Sequence, residues 1–448
     1  MKKTLLPLAI LMTLFFNACQ EDNAFLTDYD DQLAQNLRLL GGTDWRDQFT
    51  LPDSDNYSAI PQDPLNPISA EKVALGQLLY HETGLGSAPE DNKGMGSYSC
   101  ASCHFAEAGF QAGRWQGIGE GGMGLGVNGA ARVKDPDYAI ADIDVQPIRT
   151  PTVLNVAYQR NMLWNGQFGA TGSNSGTEAF WTPNTPKAVN HLGYEGVEIQ
   201  AIAGQDVHRL EIDTNFLRQY NYMGMFDAAF PNFAKAERYT AETAGLAIAA
   251  YERTLLPNQA PFQRWLKGET EAMSEIEKQG ASLFFGKASC APCHSGPALS
   301  SEAFHAFGMN DLSQHEQQTF KTPTNDPSNL GRGSFTGRTE DNYKFKVPQL
   351  YNLYDSPFYG HGASFNNIRE VVAYKNNGQK ENERVPTAAL SGEFRNLGLS
   401  DGEVDAIAAF LENALRDDQL SRYLPPNLPS GNCFPTADVV SKADLGCN

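Results

Sequence analysis

The amino-acid sequence predicts a mainly α-helical protein built from two similar units, with long loops between and around its helices. Three observations predict it. A five-residue motif occurs twice, as Cys100-Ala-Ser-Cys103-His104 and as Cys290-Ala-Pro-Cys293-His294. Each copy follows a segment with helical apolar spacing that ends at or before a glycine. The stretches 113–150, 165–195 and 311–345 are rich in Gly, Asn, Pro and Ser, the residues of turns and loops. A length of 448 residues allows two or three domains, at ~100–200 residues each. With 41% hydrophobic and 19% charged residues the chain is globular, not disordered.

The motif carries chemistry. Two thiols at this spacing can add across the vinyl groups of a porphyrin, and the next histidine then lies under the iron as its proximal ligand. One copy alone leaves room for a redox dithiol or half a zinc site. Two copies read as two covalently bound haem c groups, attached through Cys100 and Cys103 and through Cys290 and Cys293, with His104 and His294 on the metal. A helix, a turn and this motif open a cytochrome c unit. The expected fold is therefore mainly α, with two cytochrome-c-like haem domains and long loops.

In chain order, Met1-Lys2-Lys3 and the apolar run Leu5 to Phe16 form a signal peptide too short to be an ordinary membrane span. Asn17-Ala18-Cys19 resembles a bacterial lipoprotein site, so residues 1–18 are expected to be removed and Cys19 acylated; ordinary secretory cleavage near Ala18 is the alternative. Residues 19–60 read as a tether with a short helix around Asp30–Leu40. The first haem domain spans 61–257 and opens with a helix over Ser69–Tyr80. Thr240 to Leu256 is an apolar helix stopped by Pro257. The second domain, 258–425, opens with a helix capped by Ser274 and Glu277. Helices follow over Asn366–Tyr374 and Ser400–Leu415, the latter with Ser400 and Glu403 as its capping box. In the tail, 426–448, Cys433 and Cys447 are the cysteines left over, and an oxidising compartment favours their disulfide.

The chain carries 34 basic and 53 acidic residues, a formal charge of −19. That balance repels nucleic acid and anionic lipid and suits basic protein partners, although it also serves plain solubility. The glycine runs near 117–126 lack a preceding strand, so a phosphate-binding role is weak.

Taken together, the chain resembles the bacterial di-haem cytochrome c peroxidases and their MauG-like relatives. The resemblance runs from about Ile68 to Leu415. It rests on Leu75-Gly-Gln-Leu-Leu-Tyr80, Arg149-Thr-Pro-Thr-Val-Leu-Asn155, Leu163-Trp-Asn-Gly166, Glu198-Ile-Gln-Ala201, Leu283-Phe-Phe-Gly286, Phe345-Lys-Val-Pro-Gln-Leu350 and Glu370-Val-Val-Ala-Tyr374, besides both cysteine motifs.

The resemblance implies a peroxide-reacting haem at His104, with Gln200 orienting peroxide and Glu211 moving its proton; His208 and Glu198 are substitutes for Glu211. It implies Trp164 between the haems and, for the second iron, Tyr374 as the ligand beyond His294, with Met309 or His305 as alternatives. No histidine lies between His104 and His191, and Met123 sits in a glycine-rich loop, so the first haem is expected open without prior reduction. The family's inter-domain calcium is disfavoured, because Arg149 stands where an asparagine ligand belongs; its carbonyl donors would be Asp355 and Pro357.

The implied function is an exported cytochrome-c peroxidase that reduces hydrogen peroxide to water with electrons from a small cytochrome c or cupredoxin. The alternatives are a MauG-like oxidase that modifies a partner protein via a high-valent haem state, and a non-enzymatic electron-transfer protein. Periplasm or cell envelope is the expected location, with membrane contact only through the lipid anchor. Homodimer formation is left open.

Overall fold

A computed structural model describes residues 29–447; the expected signal peptide and Cys19 lie outside them. The described chain is mostly helical. Its α helices are α1 Tyr29–Gly41, α2 Trp45–Phe49, α3 Ala70–His81, α4 Gly196–Val207, α5 Thr214–Gln219, α6 Tyr222–Ala229 and α7 Ala241–Arg253. They continue as α8 Pro261–Leu266, α9 Glu275–Phe285, α10 Gly333–Thr336, α11 Ile368–Asn377, α12 Asp401–Ala409 and α13 Val439–Leu445. Two short antiparallel ribbons pair Gly122–Met123 with Val133–Lys134 and Phe304–His305 with Phe345–Lys346.

Local chemistry places the main helices. Ser69 accepts from the Lys72 amide to start α3, Thr240 accepts from Thr243 to start α7, and Ser400 with Glu403 closes a capping box on α12. A π-helical turn, Phe410–Ala414, continues α12 and keeps Phe410, Leu411 and Ala414 buried.

Two large hydrophobic cores result, beside two small clusters. In the first, α3 and α4 both pack on α7, burying Leu75, Leu79, Ile199, Leu246 and Ile248. In the second, α9 packs on α12 and α1, burying Leu33, Leu37, Phe284, Ile407 and Phe410. Each fully buried side chain of this size contributes roughly 1.5–3 kcal/mol. The cores meet in the chain at adjacent residues: Leu255 belongs to the first and Leu256 to the second.

Both cores use one device. A Cβ on Gly76 of α3 would lie 1.9 Å from the Ala247 carbonyl oxygen of α7, and a Cβ on Gly280 of α9 would lie 1.9 Å from that of Ala406 in α12. Each helix leading to a cysteine motif therefore crosses its partner backbone to backbone at a glycine. The internal echo in the sequence is a repeated packing solution.

The chain ends cross over. Leu33 to Ile60 packs into the second core, so residues 29–60 are not the expected tether but part of the more distant domain. Leu420 and Tyr423 return to the first core. The tail then wraps the first cysteine motif. Ser99 and Ser102 both donate to the Pro435 carbonyl, Thr436 donates to the Ser97 carbonyl, and Arg132 pairs with Asp438 at 3.1 Å. A disulfide joins Cys433 to Cys447. Secondary-structure patterning could not reveal this docking, because it depends on backbone carbonyls.

Candidate haem sites

The two cysteine motifs fold alike. Cys100–Ser102 is a 3-10 turn, with the Ser99 amide donating to Ser102 Oγ and the Cys103 amide to the Cys100 carbonyl. In the second copy the Cys293 and His294 amides both donate to the Cys290 carbonyl. All four thiols are free of disulfides. Burial pushes Cys100, Cys103 and Cys290 up to about 12, so the thiols are neutral.

The histidines are aimed by backbone. His294 Nδ1 donates to the Leu299 carbonyl at 2.9 Å, and His104 Nδ1 to the Phe110 carbonyl at 3.4 Å. A carbonyl can only accept, so each ring carries its proton on Nδ1 and keeps the Nε2 lone pair for a metal. Burial pushes both imidazoles down to about 4, and a ligand must be neutral.

Beside His294 lies a cavity lined by Cys290, Phe284, Leu350, Ile407, Leu411 and other mostly apolar side chains. Cofactor pockets have mainly apolar walls, and this lining suits the face of a porphyrin anchored by the two thiols. Among the described residues, no group of three His, Cys, Asp or Glu is placed to hold a bare metal ion, so the zinc reading of the motif gains no further ligand.

Helix α11 forms one wall of that cavity. Ile368, Val371, Val372 and Lys375 line it, at the i, i+3, i+4, i+7 spacing of a single helix face. Tyr374 is off that face and does not line the cavity. Its hydroxyl donates to the Phe307 carbonyl at 2.6 Å and accepts from the Glu381 amide at 3.3 Å, while its ring packs on Phe365 and Phe394. Tyr374, expected at the second iron, thus has its hydroxyl against the Phe307 carbonyl rather than on this lining. His305 and Met309 are not on the lining either: His305 lies 3.4 Å from Cys293 Sγ and pairs with Glu393 at 3.3 Å.

At the first site, Gln200 and His208 are two helical turns apart on one side of α4, with Gly204 between them. A Cβ there would sit 3.4 Å from Gln200 Nε2 and 3.9 Å from His208 Cδ2, so glycine leaves space between two polar groups. Gln200 Oε1 is buried with no hydrogen-bond partner among the described residues, as for a group awaiting a ligand. His208 Nδ1 donates to Asp144 Oδ2 at 2.8 Å. Burial alone would lower His208, but the charge and hydrogen bond of Asp144 outweigh it and hold the imidazole above its usual value. Conversely, burial works against the Asp144 carboxylate and His208 and Arg209 overcome it, leaving Asp144 low. Glu211 follows on the same loop, exposed, accepting from Ser87 Oγ at 3.3 Å.

Glu198 is no substitute for it. Its carboxylate is fully buried and receives Arg253 at 2.7 and 2.8 Å, an ion pair inside the first core. Sequence reasoning missed Asp144 and Lys375. It also missed Glu252, a buried carboxyl on α7 that burial and the Glu198 charge push up to about 8. Charges on otherwise apolar helix faces were the only signal for the last two.

Trp164 lies between the two units. Its indole N–H donates to the Arg149 carbonyl at 2.8 Å, its carbonyl accepts from the Lys346 amide, and its ring meets His361 edge-on at 6.4 Å. Arg149 is buried beside it and donates to Gln111 and to Ser356 Oγ, at 2.9 and 2.7 Å. Ser356 sits between Asp355 and Pro357, the expected calcium donors. The structure puts a fixed guanidinium there, which opposes a second cation.

The family description "Di-haem cytochrome c peroxidase" matches residues 70–271. Methylamine utilization protein MauG of Methylorubrum extorquens is 28% identical over 368 residues, 82% of each chain. Cytochrome c peroxidase Ccp of Escherichia coli is 27% identical over 314 residues, 70% of this chain and 55% of the relative. Among solved structures, a MauG-like protein associated with microbial copper homeostasis superposes with a TM-score of 0.55 at 24% identity, covering 84% of this chain and 97% of that one. The diheme peroxidase BthA from Burkholderia thailandensis gives 0.50 at 16% identity, covering 82% and 90%. These likenesses concern the fold. Among the described residues no helix is long and apolar enough to cross a membrane.

Proposed function

We propose that the chain is a member of the di-haem cytochrome c peroxidase family, which takes in the MauG-like proteins, and that it reduces hydrogen peroxide to water in the cell envelope. One observation carries the reading. Each hydrophobic core holds a Cys-x-x-Cys-His turn whose imidazole is locked by a backbone carbonyl with Nε2 free. When bound, haem c supplies redox-active iron at each site, one reacting with peroxide and the other passing electrons.

The protein's residues do the rest. Cys100 with Cys103, and Cys290 with Cys293, fix the two porphyrins covalently, and His104 and His294 orient beneath them. Gln200, with its unpaired carbonyl oxygen, orients peroxide through a hydrogen bond. Glu211 takes the proton from the near peroxide oxygen and returns it to the far one, so that the leaving group departs as water. The His208–Asp144 pair holds the α4 end of this loop in place. Trp164 bridges the units for electron transfer. The acidic surface accepts a basic donor such as a small cytochrome c or a cupredoxin, and an acylated Cys19 holds the protein at the membrane.

Steady-state oxidation of reduced small cytochrome c, driven by hydrogen peroxide and weakening as salt rises, tests the reading. Absence of turnover with any such donor, alongside peroxide-dependent oxidation of side chains in a partner protein, favours the MauG-like alternative. The specific observation behind that alternative is that no methionine lines the cavity at His294.

A further inference from the structure

We propose that Lys375 gives its side-chain nitrogen to the iron of the second haem as the axial donor beyond His294. The inference rests on the reading that haem c is attached at Cys290 and Cys293, and it adds a ligand that nothing in the expected family pattern supplies.

Helical phase is the first argument. Of the residues on α11, the cavity is lined by Ile368, Val371, Val372 and Lys375. The first three are apolar walls; Lys375 alone on that stripe carries a donor atom. A residue at i+6 from Ile368, where Tyr374 stands, faces elsewhere, and its hydroxyl is already committed to the Phe307 carbonyl at 2.6 Å.

The surroundings of Lys375 are the second argument. A surface lysine keeps its head in water or against a carboxylate. Here the nitrogen lies 3.9 Å from the centre of the Phe307 ring, and the side chain borders a cavity whose walls are mostly hydrocarbon. It has no hydrogen bond and no ion pair among the described residues. Neighbouring Lys380, by contrast, is tied to Glu383 at 2.9 Å. A lysine directed into an apolar cofactor pocket with no counter-charge is costly unless something there takes its lone pair. A metal does so, because coordination competes with the proton for that pair.

Elimination within the same cavity points to the same residue. His294 is the only other nitrogen donor of its lining, and Cys290 is spent on the thioether. Tyr359 lines it too, but its hydroxyl donates to the Leu353 carbonyl at 2.9 Å.

The experiment uses the full-length ferric holoprotein and reads ligation directly. Haem per chain is counted first, by the pyridine haemochrome method. Low-temperature electron paramagnetic resonance and near-infrared magnetic circular dichroism are then recorded for wild type, Lys375→Ala, Lys375→Met and Tyr374→Phe. The expected result is a low-spin haem with a two-nitrogen signature in wild type and in Tyr374→Phe. Lys375→Ala converts that haem to high spin. Lys375→Met, which keeps the side-chain volume if alanine disturbs folding, loses the two-nitrogen signature and raises the potential of that haem. Two haems per chain with a phenolate signature lost in Tyr374→Phe, or a low-spin signal unchanged in both Lys375 variants, overturns the inference and leaves the parent reading standing. Fewer than two haems in wild type overturns the parent reading and the inference with it.

Discussion

His208 and Asp144 meet at 2.8 Å across the loop that ends α4, joining the candidate peroxide pocket to the glycine-rich segment after the first cysteine motif. Each holds the other charged. Asp144 lies below its usual value, so its contribution to stability is present above the unfolded carboxylate range and is lost as pH falls through the lowered value. His208 lies above 6.5, so its contribution is present below 6.5 and is lost as pH rises through the raised value. Asp144→Asn is therefore expected to destabilise the fold by about 1 kcal/mol at mildly acidic pH, given the partial exposure of the imidazole, and so to lower the thermal midpoint. In alkaline solution the gap to wild type should narrow. Thermal scans at both pH values check it, and a gap that widens with rising pH contradicts the pairing.

Glu211 and Gln200 have separable roles. Glu211→Gln removes the proton acceptor and leaves the fold alone, since the carboxylate is exposed and accepts a side-chain hydrogen bond from Ser87 alone among the described residues. Peroxide turnover should fall by roughly 10²–10⁴-fold, the usual contribution of a positioned acid–base group. Gln200→Leu should weaken peroxide binding more than it slows the proton step. Peroxide-concentration series on the two variants distinguish a lowered kcat from a raised KM.

Gly76 and Gly280 should respond alike to substitution. At an exposed helical position Gly→Ala stabilises by about 1 kcal/mol. At these two sites the added carbon would lie 1.9 Å from a partner carbonyl oxygen, so the helices must part. Overpacking costs ~1–3 kcal/mol, more than propensity returns. Both variants should therefore unfold at lower temperature than wild type, and a stabilised variant at either position would contradict the crossing.

Trp164→Phe tests the bridge. It deletes the hydrogen bond to the Arg149 carbonyl at 2.8 Å and shrinks the aromatic surface between the units. Electron redistribution in the half-reduced protein should slow by an order of magnitude or more, with the spectra of both haems unchanged. Equal rates in variant and wild type would assign Trp164 to packing alone.

Much of this architecture could be read from the chain because it is local. The capping serine and glutamate residues predict α3, α9 and α12, and an apolar run stopped by Pro257 predicts α7, all to within a few residues, and the cysteine motifs need only five consecutive residues. What escaped depends on distant partners. Residues 29–60 look like a linker until α9 offers a face for Leu33 and Leu37. The tail looks unanchored because its contacts run to the hydroxyls of Ser99 and Ser102 through backbone carbonyls. Lys375 and Tyr374 are neighbours in sequence, and only the rotation of α11 against its cavity decides which one faces it. Glu198 shows the converse: a carboxylate in a promising motif whose chemistry is consumed by Arg253.

In the proposed reaction, iron at His104 meets peroxide directly while a second centre shares the electrons. Stopped-flow absorbance of the as-isolated ferric protein, mixed with hydrogen peroxide and no reductant, measures this most directly. A prompt shift of the haem bands, abolished in His104→Gly and slowed in Glu211→Gln, is the predicted result. Bands that stay unchanged over the full time course would contradict it.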